Sequence, residues 1–102
     1  MAAEFSVNIG DSIQWAPIPG AHFDVVVRNI PTGGDMTPPG VLDVGATNSV
    51  TVFALLDGQP LGNYFILVRS KYPDGSGASD WSTAVEFSLV GFPVPTGITK
   101  VP

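Results

Sequence analysis

The residues able to do chemistry in this chain of 102 are few: one histidine, His22, nine carboxylates, four Lys and Arg, and no cysteine. Nucleophilic catalysis needs a Ser, Thr or Cys beside a positioned base. The only such base, His22, stands just after Gly20 at the start of an apolar alternation and shares parity with Asp24, so both are expected to face solvent. Paired carboxylates would serve glycoside hydrolysis, but the acids are spread singly through turns and outer strand positions, where they are expected to stay solvated. Calcium loops need clustered oxygen ligands. Asp57-Gly58 and Asp74-Gly75 are lone pairs that turn formation accounts for. Gly75-Ser76-Gly77 is followed by neither Lys-Ser/Thr nor a helical pattern, so it is not a phosphate loop. Without cysteine there is no disulfide framework and no thiolate metal site. These residues point away from an enzyme, and to no metal and no cofactor.

What remains is a chain built to fold and to bind. Hydrophobic residues make up 44% and charged residues 13%, which excludes a charge-rich disordered chain. One domain of this size can bury a core without staples. The net charge of -5 comes with no basic cluster to neutralise phosphates, so nucleic acid is not an expected partner. The longest apolar run away from turns, residues 64–68, is far shorter than the roughly 20 residues that span a bilayer, and no membrane partner is expected. The segment after Met1 has neither the basic start nor the apolar stretch of a signal peptide. A small complete gene product is the natural expectation, and an excised domain would begin in the same way.

The elements that must position these residues are strands. Twelve glycines and ten prolines suit short strands joined by turns. Phe5, Val7 and Ile9 alternate with polar residues, as do Ile13 and Trp15. A three-residue loop, 10–12, keeps both sets on one face, and one unbroken strand accounts for the same parity. Phe23, Val25 and Val27 mark the next strand, 31–40 a loop, and 41–44 a short strand. Val50, Val52, Ala54 and Leu56 mark another, then Tyr64, Ile66 and Val68, a Gly-rich loop over 72–79, and finally Val85, Phe87 and Leu89. No stretch carries helical spacing. The pattern predicts seven strands and no helix, in two antiparallel sheets packed face to face. Its predicted core is Ile13, Trp15, Phe23, Val25, Val27, Val50, Val52, Leu56, Tyr64, Ile66, Val68, Val85 and Phe87.

Over roughly residues 5–90 the order of landmarks resembles the fibronectin type III family. Trp15 with Pro17 and Pro19 resembles the core Trp of its second strand, and Phe23 stands where its third strand opens with an aromatic. Leu56, Gly58 or Gly62, and Tyr64 resemble the approach to its sixth strand, and Gly77-Ala78-Ser79-Asp80-Trp81-Ser82 the lead into its last. The resemblance implies an all-β, seven-stranded antiparallel sandwich over 1–90, followed by an extended Pro-rich tail over 91–102. It also implies a corner in which the Tyr64 hydroxyl bonds upstream backbone. The first strand is shorter than the family's, and the Leu56–Tyr64 interval longer. The Arg-Gly-Asp tripeptide of some members is absent. Ser79-Asp80-Trp81-Ser82 is half of the motif by which cytokine-receptor relatives stack Arg on Trp, and it predicts a structural Arg69–Trp81 contact.

Two surfaces are candidates for binding. If Tyr64, Ile66 and Val68 point inward, Phe65 and Leu67 point outward, and Val26 joins them from the neighbouring strand. A contiguous outward apolar set of this kind marks an interface. The tail offers Phe92, Val94, Ile98 and Val101 as anchors between prolines that hold it extended, and a shortened first strand would leave a sheet edge to receive it. The expected interface is therefore Val26, Phe65, Leu67, Arg69, Trp81, Phe92, Val94 and Ile98. The expected partner is a protein, either a second copy or a larger assembly. A compact, Cys-free sandwich of this kind is similar to small phage virion proteins that decorate capsids or join tail parts, which would place it in a virion. The alternative is a spacer or ligand-binding module excised from a larger extracellular, carbohydrate-active protein. Its candidate aromatics would be Phe65, Tyr72 and Trp81.

Overall fold

The computed structural model describes residues 3–30, 33–35, 40–92 and 95–102. Its centre is an antiparallel pair, β3 (His22–Ile30) and β7 (Gly62–Lys71), in register from His22–Lys71 to Arg28–Phe65. These are the two segments with the longest apolar alternation. β8 (Val85–Leu89) flanks β7, and β1 (Phe5–Val7) adds to β8 in parallel, Phe5 opposite Phe87 and Val7 opposite Leu89. On the other side of β3, β4 (Gly33–Asp35) pairs near its C-terminal end and β5 (Leu42–Gly45) near its start. β2 (Ser12–Gln14) and β6 (Ser49–Thr51) form a separate two-stranded sheet. The fold is all-β in two sheets, six strands and two among the described residues. A single core joins them: Val25, Val27, Tyr64, Ile66 and Phe87 from the large sheet meet Ile13 and Val50 from the small one. This arrangement is compatible with a β-sandwich.

The chain moves from the large sheet to the small one through a turn at residues 8–11. The Gly10 amide donates to Asn8 Oδ1 and the Asn8 amide to Asp11 Oδ2, each at 2.9 Å. Side-chain oxygens thus replace the strand ladder for these residues. Val7 and Ile13 emerge from opposite sides of the turn into the same core. Neither a hairpin across 10–12 nor one unbroken strand forms, because β1 and β2 belong to different sheets.

Three expectations are corrected. Among the described residues the strands number eight, because Gly33–Asp35, within the loop predicted for 31–40, pairs back onto β3. The sheets are not wholly antiparallel, because β1 runs parallel to β8. The strand predicted through Val52, Ala54 and Leu56 ends at Thr51 and becomes a helix, α1 (Val52–Leu56). Thr51 caps it, its Oγ1 accepting from the Ala54 amide at 3.2 Å. Val52, Leu55 and Leu56 are buried, the i, i+3, i+4 face of a helix, and Ala54 is exposed. Within the predicted core, Val85 is 37% exposed, and Trp15 and Val68 are only partly buried against it.

Candidate interaction site

The outward face of the large sheet is set by parity, as the sequence predicts. Cross-strand partners there are Asp24 with Arg69, Val26 with Leu67, and Arg28 with Phe65, which also faces Glu86 of β8. Exposure is where the expectation fails. Val26 is fully buried and Leu67 is 7% exposed, with Phe65 half-buried, so the three do not form an open apolar patch. The Val26–Leu67 pair sits in the middle of the sheet. Its same-face neighbours along the strands are the long side chains of Arg28, Phe65 and Arg69, which lie within reach across a sheet.

The acids are not all solvated either. Asp24, expected to face solvent, is 4% exposed, and Glu86 is 8% exposed. Two cations from β7 converge on the Asp24 carboxylate: Arg69 Nε donates to Oδ2 at 3.0 Å, and Lys71 Nζ to Oδ1 at 2.8 Å. Lys71 also donates to Asp43 Oδ2 of β5 at 2.8 Å. Asp43 Oδ1 accepts the Gly45 amide. These two contacts hold the Asp43 carboxyl below its ordinary value, the Lys71 hydrogen bond contributing most. Lys71 is raised in return, first by Asp24 and then by Asp43. A charge on the outer face is tolerated when paired and hydrogen-bonded in this way. The Arg69 guanidinium lies 4.5 Å from the ring centroid of Trp81, the cation–π contact predicted from half of the stacking motif. Arg69 and Trp81 are therefore joined to each other and to Asp24, in a structural arrangement.

His22 is half-buried at the start of β3, and its parity partner Asp24 is committed to Arg69 and Lys71. Asp74 accepts the Ser76 amide at 2.8 Å, the turn expected of its Asp-Gly pair, and the Ser76 hydroxyl, followed by that amide, lowers its carboxyl. Among the described residues no group of three or more His, Cys, Asp or Glu could hold a metal ion. No helix there is long and apolar enough to cross a membrane.

An open groove of about 520 Å³ runs along one flank between the two sheets. Its floor includes Phe5, Ile13, Trp15, Phe23, Val68 and Val85, and Asp80 and Ser82 stand among its polar lining. Trp15 meets Phe23 edge-on at 5.5 Å between ring centroids. Its Nε1 is buried with no hydrogen-bond partner among the described residues. One wall is β2, paired among the described residues with β6 alone. The other is the 79–83 segment, which continues along β7: the Ser79 amide donates to Ser70 O at 2.8 Å and the Ser82 amide to Val68 O at 2.9 Å. The sequence did not mark this groove. Its one local signal is the apolar Ile18 between Pro17 and Pro19, which lies at the groove and is 51% exposed.

The tail leaves from β8, where the Val90 amide donates to Val7 O. Phe92 is 68% exposed and Ile98 88%, and residues 95–102 form no helix or strand. Val94, with Pro93, lies outside the described residues. The structure thus brings Val26, Phe65, Leu67, Arg69 and Trp81 together on one sheet face and leaves Phe92 and Ile98 apart from them. The chain matches no protein-family model, no curated protein and no solved structure.

Proposed function

We propose that the chain is a non-enzymatic, fibronectin type III-like module that assembles with copies of itself or with a larger scaffold. The fold part of this reading is supported by strand placement. In the immunoglobulin-type sandwich the second and fifth of seven strands share one sheet, and the third, sixth and seventh share the other. With β4 counted as an added hairpin strand, the equivalents here are β2 with β6, and β3, β7 and β8 side by side. The Tyr64 hydroxyl donates to Pro60 O, four residues upstream, as the corner of such folds requires. β1 departs from that pattern by lying against the last strand.

The observation that carries the assembly reading is the tail. Phe92, Ile98 and Val101 place large apolar side chains in solvent near the C-terminus, an arrangement that a binding partner would relieve. A virion structural protein, the setting implied by the sequence resemblance, is one form of this reading. The test is the mass of the full chain by size-exclusion chromatography with light scattering. A concentration-dependent multimer that Ile98→Asp with Val101→Asp dissolves is the expected result. A monomer at every concentration that also retains no scaffold protein from its source would sink it.

A further inference from the structure

We infer that the groove between the sheets is the receptor for the C-terminal tail of a second copy, which adds to the free edge of β2. This rests on the assembly reading above and names its site and its occupant.

Four observations converge on the groove. The first is the backbone edge. The bonds from β2 to the small sheet flank odd positions: the Val52 amide donates to Asp11 O, and the Trp15 amide to Asn48 O. In an antiparallel pair the intervening residues turn their backbone groups the other way. Ser12 and Gln14 therefore present theirs on the side where no described strand lies. Such an edge is a template for another extended segment.

The second is the floor. Phe5, Ile13, Trp15, Phe23, Val68 and Val85 give it apolar side chains from both sheets. The third is Trp15 Nε1, a buried donor without a partner among the described residues. A buried polar group left unpaired is costly, and a shift of the Trp15 ring toward an incoming strand would let a carbonyl or hydroxyl there accept from it.

The fourth identifies the occupant. Residues 95–102 are exposed throughout, carry no secondary structure, and hold Ile98 and Val101 in solvent. They lack a place on their own domain. In an extended segment Thr96, Ile98 and Lys100 share one face. Ile98 then meets the apolar floor, and the Lys100 stem lies along it with its ammonium at the rim. Charge fits as well. Arg69 and Lys71 are held by Asp24 and Asp43, and Arg28 is also engaged, whereas Lys100 has no ion pair among the described residues. The Asp80 carboxylate, exposed at the groove, is likewise without a partner there. Lys100 of one copy therefore complements Asp80 of the next. Gly97, at φ +67°, is free to change to the extended backbone this pairing needs. Because the donor tail and the acceptor groove are different surfaces, the contact is head-to-tail and propagates unless the rotation closes a ring.

The absence of native cysteine gives a direct test in the full chain. Chains carrying Asp80→Cys are mixed with chains carrying Lys100→Cys and oxidised with glutathione disulfide. The expected product is the mixed dimer, well above either homodimer. Asp80→Lys alone should weaken association by about two- to fivefold, as a rim charge pair does, and Lys100→Glu added to that chain should restore it. Mixed dimers no more abundant than homodimers overturn the inference. So does a chain carrying both cysteines that closes on itself at high dilution, which would seat the tail in its own groove. If light scattering finds a multimer yet the mixed dimer does not form, the assembly reading stands and this site falls. If the native chain is monomeric at every concentration, this site falls, and the assembly reading falls with it when the chain also retains no scaffold protein.

Discussion

The hydroxyl of Tyr64 donates to the carbonyl of Pro60, tying the start of β7 to the chain four residues before it. The Tyr64 ring is buried, lying 6.2 Å from the Phe87 ring in the core, and that burial raises its phenol above the ordinary value of 10.0. Tyr64→Phe should keep the ring packing and lose the bond, costing about 0.5–1.5 kcal/mol, as read by urea unfolding. The phenol also gives an alkaline signature. With the folded value above the unfolded one, stability is fully present below pH 10 and is lost as pH rises through the folded value. Lys71, raised as well, loses its contribution in the same direction. Tyr64→Phe should therefore show a shallower alkaline loss than the native chain, and equal slopes would contradict the burial argument.

At the acid end the sign reverses. Asp43 is held below 3.8 in the fold, so its contribution is present above that value and disappears as pH falls through the lowered one. Asp74 behaves in the same way, through the Ser76 hydroxyl first and the Ser76 amide second. Denaturation midpoints taken from pH 7 down to 2 should fall steeply in the native chain and less steeply in Asp43→Asn. An unchanged acid limb would mean that Lys71 does not hold Asp43 in solution.

Leu67 and Phe65 stand on the same outward face of β7 but should respond differently. Leu67→Ala removes a nearly buried side chain paired with a fully buried Val26, and should destabilise by about 2–5 kcal/mol. Phe65→Ser, at a half-buried position, should cost less. Urea unfolding of both decides the order. The reverse order would restore the open apolar patch.

Thr51→Ala should cost about 1 kcal/mol by freeing the Ala54 amide at the start of α1. Phe53→Glu, at a position 57% exposed, should stay within about 0.5 kcal/mol. Equal losses in the two variants, measured by thermal unfolding, would argue against the capped helix.

Most of the large sheet was legible in the sequence because side-chain parity is a local property. Phe23, Val25 and Val27, and Tyr64 and Ile66, point inward as their alternation predicts. Parity states a side, though, and not what shields it, which is why Val26, Leu67 and Asp24 were expected in solvent. The stretch from Val52 to Leu56 is apolar at nearly every position, so periods of two and of 3.6 fit it equally, and burial of Leu55 decided for helix. The parallel pairing of β1 with β8 joins residues some eighty positions apart. No local pattern encodes such a partner. The Arg69–Trp81 stack was legible because a short motif carries it. The groove was not, because its floor draws on residues from β1 through β8, each of which alone reads as ordinary core.

The parallel strand β1 has a mechanical consequence. The N-terminus leaves at the start of β1 and the tail leaves at the end of β8, so pulling the two ends apart slides one strand lengthwise against the other. The Glu4–Glu86 and Val7–Val90 backbone bonds, each 2.8 Å, are then strained together and not peeled one after another. Stretching single molecules by their ends should give a higher rupture force than pulling across β8 from residues 5 and 62, and equal forces would contradict the shear geometry. In a head-to-tail string of copies, the outermost strand of each domain becomes the latch through which tension passes to the next.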